Sequence, residues 1–292
     1  MLNVTTIIPT MAEDRRHQSL LRAIESIRSA SADPVQIVVV VNGSHRSDAV
    51  LKSLSSLSQV RILSLDVGSL PLAQLEGRRA VDTPYFSFLD DDDEYLPGAI
   101  DLRLKPLEAD HSLDFSISNG YRNLAGNDVI CFSSLDRVAP APFEALFQEN
   151  WLASCGALFR SSSIGAEYFE KPHAYVEWTW LAFKLCLDNK KLATISEPTF
   201  RIHDTPDSAS KSPAYSNAIS DLYQRMLRCA PPRHIRTMVL KRIGASLHSD
   251  ANSLWKQGCW GKAWEAHLKS LFYPGGWRYL TFSRHLLFPS TK

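Results

Sequence analysis

Residues 35–41 read Val-Gln-Ile-Val-Val-Val-Val. A run so continuous in β-branched residues has no polar face to offer water. It reads as a strand covered on both sides, and such strands belong to parallel sheets sheltered by helices. The flanking sequence agrees. Val4–Ile8 is a short β-branched strand stopped by Pro9-Thr10. Leu20, Leu21, Ile24 and Ile27 recur at helical spacing, with Arg22, Glu25 and Arg28 on the other face. A helix is expected over 46–57, a strand over 60–66, a helix over 72–81 and a strand over 85–89. Strands alternating with helices imply right-handed crossovers, so the expected fold class is α/β: a mostly parallel twisted sheet flanked by helices.

In an open sheet of this kind ligands bind outside the carboxyl ends of the strands. Four such ends lie along one edge: Pro9-Thr10, Asn42-Gly43, Asp66-Val67 and Asp90-Asp91-Asp92-Asp93. The last is the most pointed. Phe86-Ser87-Phe88-Leu89 runs directly into five consecutive carboxylates, Asp90 to Glu94, before Pro97-Gly98. A buried strand cannot hold that charge, so the acids mark its exit into a loop. A hard divalent cation such as magnesium or manganese takes oxygen ligands of this type. The plain alternative is a solvated acidic loop. The chain carries neither GxGxxG nor GxxxxGK[ST], so no Rossmann or P-loop phosphate cradle is present. Any nucleotide phosphates would be held another way.

Further along, helix 101–109 and strand 113–118 precede a polar–apolar stretch, 119–136, that reads as a strand pair turning at Ala125-Gly126-Asn127-Asp128. A short helix within 140–150, a strand at 157–160, a helix from about Ser162 and an apolar helix over 175–185 follow. Glu177 falls in the first turn of that last helix, where the dipole alone favours a carboxylate. Residues 199–211, Thr-Phe-Arg-Ile-His-Asp-Thr-Pro-Asp-Ser-Ala-Ser-Lys, read as a polar loop. Beyond Ser216 the pattern is helical: 218–229, 235–254, and a turn and helix over 258–271.

The chain resembles the family 2 glycosyltransferases of GT-A fold. The likeness rests on Ile7-Ile8-Pro9-Thr10, Val39-Val40-Val41-Asn42-Gly43-Ser44 and Phe88-Leu89-Asp90-Asp91-Asp92-Asp93, and extends over about residues 3–211. It implies that Pro9, Thr10 and Asn42 line the nucleoside pocket. It places Asp90 and Asp91 against the sugar nucleotide and makes Asp92 the ligand of a divalent metal (Mn2+ or Mg2+), with Asp90 and His203 beside it. Arg78 or Arg79 is expected at a phosphate, and His203, Ser208, Ser210 and Lys211 on a lid over the diphosphate. Glu177 stands where the family has its catalytic base, and Trp151 and Trp178 are expected at the acceptor. The sequence departs from the family in three places. Val41-Asn42 replaces two acids, Gln74 replaces an arginine, and Val176-Glu177 replaces Glu-Asp.

Two domains are therefore expected. Residues 1–215 form the catalytic domain, with a nucleotide-binding half to about 110 and an acceptor-binding half over 111–215; residues 216–292 form a helical extension. The 292 residues carry a net charge of +1, yet 233–292 hold ten Lys/Arg against two acids and four of the seven tryptophans. A basic, aromatic segment suits an anionic membrane surface as well as a helical cap. The N-terminus has no signal-like segment and no apolar run approaches a membrane span, so the expected location is cytoplasmic, peripheral on the inner face of the membrane. The five cysteines, odd in number and unpaired in spacing, argue against a disulfide framework or a zinc site. The expected activity is metal-assisted, inverting transfer of a sugar from a nucleotide-diphosphate donor, a UDP-sugar first, to a glycan or lipid-linked acceptor in bacterial surface polysaccharide assembly. No nucleic-acid partner is expected. A sugar-nucleotide nucleotidyltransferase and a non-catalytic sugar-nucleotide-binding protein are the alternatives.

Overall fold

A computed structural model of the chain describes residues 2–204 and 213–287. By its internal packing the chain divides into two units, Met1–Ser208 and Ala209–Lys292.

In the first unit the alternation is realised as β1 (Val4–Thr10), α1 (His17–Ser29), β2 (Gln36–Asn42), α2 (Asp48–Ser55), β3 (Val60–Leu65), α3 (Leu70–Arg79) and β4 (Tyr85–Phe88). β2 pairs with β1 and β3, and β1 with β4, all parallel, with Ile8 opposite Val39. Val38 to Val41 are fully buried, as their unbroken apolar run requires. Ser47 and Ser69 cap α2 and α3 by accepting from Val50 N and Leu72 N. Gly77 allows α3 to lie directly on the sheet, since a Cβ there would stand 2.4 Å from Ile7 Cγ2.

After β4 the pairing changes. The remaining elements are β5 (Glu94–Tyr95), α4 (Ala99–Ala109), β6 (Phe115–Leu124), β7 (Asn127–Ile130), α5 (Pro142–Leu146), β8 (Ala157–Arg160), α6 (Glu177–Leu187) and β9 (Leu192–His203). The sheet order is β3-β2-β1-β4-β8-β6-β9-β5, with β7 beside β6. β8 runs antiparallel to β4 and β6, and β9 parallel to β6. The parallel arrangement expected of the whole sheet thus describes β1–β4, and the acceptor half is mixed. The chain leaves β4 into the acid loop rather than a crossover helix, so the neighbour of β4 arrives later and from the opposite direction. The expected hairpin forms β6 and β7, with Ala125 and Gly126 at φ 50° and 90°, the two positive values a tight two-residue turn needs. The helix expected from Ser162 is only a short 3-10 turn at Ala166–Tyr168; Ser161-Ser162-Ser163 and Gly165 are poor helix formers. A further correction concerns 199–203, expected as loop. They are strand, with Arg201 opposite Tyr121 on β6 and Glu94 on β5. Stacked rings of Phe86, Phe159 and Phe115, with centroids 5.1 and 5.8 Å apart, tie the two halves of the sheet into one core.

The second unit is helical: α7 (Pro213–Arg228), α8 (Arg233–Lys256), α9 (Trp260–Leu271), a 3-10 stretch at Gly276–Phe282 and α10 (Ser283–Leu287). Its core is built from Leu222, Met226, Ile235, Val239, Ile243, Ala251, Ala263 and Leu286. His248 stacks on Tyr279 at 4.1 Å, and Phe282 meets the rings of His248 and His267. All five cysteines are free. Among the described residues no helix is long and apolar enough to cross a membrane.

Candidate active site

The acid run alternates in burial. Asp91 and Asp93 are buried, 5% and 4% exposed, while Asp90 and Asp92 keep partial access to solvent. The run is a turn, closed by the Asp93 N–H donating to the Asp90 carbonyl at 3.1 Å, so the partners of each acid, and not strand periodicity, set its burial. The buried acids are anchored. Asp91 accepts from the Thr10 hydroxyl at 2.6 Å and from Arg16, and Asp93 accepts from the His203 backbone N–H at 3.0 Å. Asp93 Oδ2 also lies 3.9 Å from the Cys155 sulfur. These contacts fix the loop to the end of β1 and to the end of β9. The other two are less committed. Asp90 accepts from Ser154 at 2.7 Å, and Asp92 lies 3.3 Å from the Arg16 guanidinium.

Four adjacent carboxylates at a strand end cannot all ionise freely. Burial raises the Asp90 carboxyl to about 6; Ser154 and Arg16 oppose the rise, and Asp92 and Asp91 add to it. Asp91 and Asp93 are raised as well, first by burial; for Asp93 the neighbouring Asp90 and Asp92 charges add. Arg16 is the compensating cation. Burial works against its charge, and Asp91 and Asp92 outweigh that, so its pKa is raised. Arg22 adds a bond from its guanidinium to the Asp92 carbonyl at 2.7 Å. Nothing local in the sequence marks either arginine: Arg16 lies in a polar stretch before α1 and Arg22 on the polar face of that helix. Only the fold of α1 across the strand end brings them to the acids.

Glu177 begins α6, and its carboxylate accepts from Tyr175 N at 2.9 Å. Tyr175 sits at φ 69°, a left-handed conformation uncommon for a residue with a side chain. Burial raises the Glu177 pKa, opposed by the N–H groups of Glu177 itself and Tyr175. The carboxylate opens onto a small cleft shared with Gln74, Phe169, Trp178 and Trp180. The Trp178 ring packs edge-on against Phe88, with centroids 5.3 Å apart. Phe88 is two residues before Asp90, about 7 Å along a strand. The cleft and the acid run therefore share one end of β4. Gln74, where the family has arginine, is 4% exposed and faces the same cleft.

Several expected residues have other tasks. Arg78 is 7% exposed; it donates to the carbonyls of Ile164 and Ser161 and lies over the Phe86 ring at 4.4 Å. It clamps the segment after β8 to the sheet instead of facing a phosphate. Burial lowers its pKa, against a nearby Glu167 charge. Trp151 is 2% exposed, donates from its indole to the Pro142 carbonyl at 2.9 Å and stacks near Phe115. It is a core residue, not an acceptor wall. Pro9 is buried within β1, opposite Val40. Asn42 ends β2 and uses its side-chain oxygen to accept from Ser69 N at 2.5 Å, bracing the start of α3. Gly43 beside it takes φ 103°, and a Cβ there would come within 3.3 Å of Gly68 Cα. His203 is where the lid was expected to begin, but it is on a strand, 3.3 Å from Glu94. Ser208, Ser210 and Lys211 lie outside the described residues.

Among the described residues no group of three or more His, Cys, Asp and Glu side chains is arranged to hold a metal ion. Small hard cations are nevertheless commonly bound by one or two carboxylates together with substrate phosphates and water. Asp90 and Asp92, the acids of the run that keep access to solvent, fit that mode; the buried, hydrogen-bonded Asp91 and Asp93 do not.

An α/β sheet with an acid-rich exit from its fourth strand and a carboxylate cleft beside it is the arrangement expected above of a sugar-nucleotide transferase. Residues 5–128 match the sequence model described as glycosyl transferase family 2. The family read from the motifs is thereby borne out. A curated relative, the teichoic acid poly(glycerol phosphate) polymerase of Staphylococcus epidermidis, is 22% identical over 270 residues, 85% of this chain and 36% of the relative. The chain thus spans little more than a third of that protein. Among solved structures, S. aureus TarS 1–349 in complex with UDP-GlcNAc superposes with a TM-score of 0.62 at 11% identity, over 85% of this chain and 72% of TarS 1–349. The complex of the same fragment with UDP gives 0.57 at 11% identity, over 85% and 71%. The shared fold is the α/β sheet with helices after it.

Proposed function

We propose that this chain is an inverting glycosyltransferase that moves a sugar from a UDP-sugar to a hydroxyl of a cell-surface glycopolymer. The observation that carries the reading is the convergence of two kinds of carboxylate at one end of β4. The partly exposed Asp90 and Asp92 follow the end of β4, and the half-buried Glu177 begins a helix whose Trp178 ring packs against Phe88, the last residue of β4. The donor follows from the family match over 5–128 and from a fold shared with a TarS fragment crystallised with UDP-GlcNAc. The polymer acceptor follows from the likeness to a teichoic acid polymerase.

Glu177 accepts the proton of the acceptor hydroxyl as that oxygen bonds to the anomeric carbon. The attack comes from the face opposite the bond to the diphosphate, which breaks, so the configuration inverts and the nucleoside diphosphate leaves with the bonding pair. Burial beside Trp178 and Trp180 brings the Glu177 pKa up towards the range where a carboxylate is an effective base. Asp90 and Asp92 would hold a divalent ion on the donor diphosphate, and that ion would supply Lewis-acid stabilisation of the departing phosphate charge. Arg16 keeps the loop assembled with or without the donor, by pairing with Asp91 and Asp92. Trp178 presents the wall of the cleft to the acceptor.

The test is isothermal titration of UDP-sugars with manganese present or chelated, paired with a transfer assay of Glu177→Gln. Retained donor binding with transfer lost supports the assignment. Normal transfer by the variant would remove Glu177 from the mechanism. Failure of every UDP-sugar to bind would remove the donor class.

A further inference from the structure

We infer that the C-terminal helical unit carries a docking surface for an anionic lipid bilayer, centred on one face of α9 and the segment that follows it. Trp260, Trp264, Leu268 and Phe272 recur every fourth residue along α9 and its C-cap. At 3.6 residues per turn they form a single slowly drifting stripe. The opposite face, Ala263, Ala266, His267 and Ser270, is packed into the unit. The stripe points outward: Trp260 is 41% exposed, Leu268 49% and Phe272 90%. After the turn at Pro274-Gly275 the chain exposes Trp277 (73%), Leu280 (55%) and Leu287 (61%). Nowhere else in the described chain do so many large apolar side chains face water within so short a segment.

Charge selects the occupant. Lys269 follows Leu268 on α9, Lys262 is exposed on the same helix, Arg278 follows Trp277 directly, and Arg284 lies in α10. Glu265, paired with Lys269 at 2.6 Å, is the last acid of the chain. Aromatic and leucine side chains set among cations, with Glu265 the one acid beside them and paired with Lys269, match an interface of acyl chains below and anionic headgroups above. A protein partner would have to supply both a wide apolar face and an anionic rim. The bilayer supplies both by composition. The contact inferred is peripheral; among the described residues no helix is long and apolar enough to cross a membrane. This inference does not depend on the transfer reading, because it concerns a surface that contains none of the residues assigned to chemistry.

The experiment is flotation of the full chain with phosphatidylcholine vesicles, alone or with about one third phosphatidylglycerol. Co-flotation with the anionic vesicles and not the neutral ones, reversed by about 0.5 M salt, is expected, since screening shortens the reach of the headgroup charge. Phe272→Ser with Trp277→Ser should abolish flotation while circular dichroism and thermal melting stay unchanged, both side chains being in solvent. Lys262→Gln, Lys269→Gln, Arg278→Gln and Arg284→Gln should each weaken the vesicle partition about fivefold, equivalent to ~1 kcal/mol per cation. Absence of flotation with either vesicle, equal flotation with both, or a solution oligomer that the serine pair splits would overturn the inference, the last in favour of a second copy of the chain. UDP-sugar binding by the serine pair should equal that of the parent chain, so loss of flotation is separated from any failure of the donor reading.

Discussion

The two units treat their aromatic residues in opposite ways. In the first, Phe86, Phe115 and Phe159 are fully buried and stacked across the seam of the sheet. In the second, Phe272 and Trp277 stand in water while histidines occupy the interior. A sheet sheltered by helices buries rings because both of its faces are covered. A helical hairpin of limited size has too little interior for its apolar residues, and some of them are left for another surface. The lesson is that hydrophobic content alone does not say what a side chain is for; the element on which it falls does.

That contrast can be tested by substitution and by pH. The largest effect is expected at the chemistry: Glu177→Gln should lower transfer by about 10²–10⁴-fold, the usual contribution of a general base, with the melting temperature held. A normal rate would place the base elsewhere. Next, Phe86→Ala should cost about 3–5 kcal/mol of stability in chemical denaturation, the range for emptying a buried aromatic site. Phe272→Ala should stay within about 0.5 kcal/mol, as surface changes do. Similar losses at both sites would erase the distinction between the units. Between these lies Gly120→Ala. A Cβ there would meet the buried Phe200 ring at 2.3 Å, and overpacking of this kind costs about 1–3 kcal/mol.

The units should also part company on acidification. Asp90, Asp91 and Asp93 have raised pKa values in the folded chain, so the native state binds protons more readily than the unfolded state. The first unit should gain stability as pH falls from 7 through about 6, where Asp90 titrates. Burial lowers the pKa of both His248 and His267, and His248 lowers that of His267 further. There the unfolded state binds protons more readily, so the second unit should lose stability as pH falls below the ordinary histidine value of 6.5. Calorimetry at pH 7 and pH 5 should show the two transitions moving apart in these directions. Movement together would mean that the units unfold as one. In the same window donor affinity should fall, because protonation of Asp90 removes a charge from the proposed phosphate-metal site.

Much of this was legible in the chain itself. The Val38–Val41 run, the alternation of strands and helices through β4, and the placement of acids after β4 all follow from local rules of pattern. The acceptor half resisted reading because β8 and β9 take their partners from distant elements. Arg201, for example, reads as loop until Tyr121 on one side and Glu94 on the other supply its hydrogen bonds. The roles of Arg78 and Trp151 resisted for a related reason. An arginine or tryptophan can be a ligand contact or a structural clamp, and only its surroundings decide which.

The sequence by itself determined the alternating framework of β1–β4, the exit of the acid run at its binding edge, and the family. These depend on periodicity and on motifs within a few residues. Tertiary structure alone decided the division of labour within Asp90–Asp93. Asp91 and Asp93 are buried where Thr10, Arg16 and the His203 N–H satisfy them, while Asp90, held by Ser154, and Asp92, beside Arg16, keep part of their surface in solvent. The partners of the buried pair come from the start of the chain and from two hundred residues on. A carboxylate's charge and freedom are set by what the fold brings within reach, not by its neighbours in sequence.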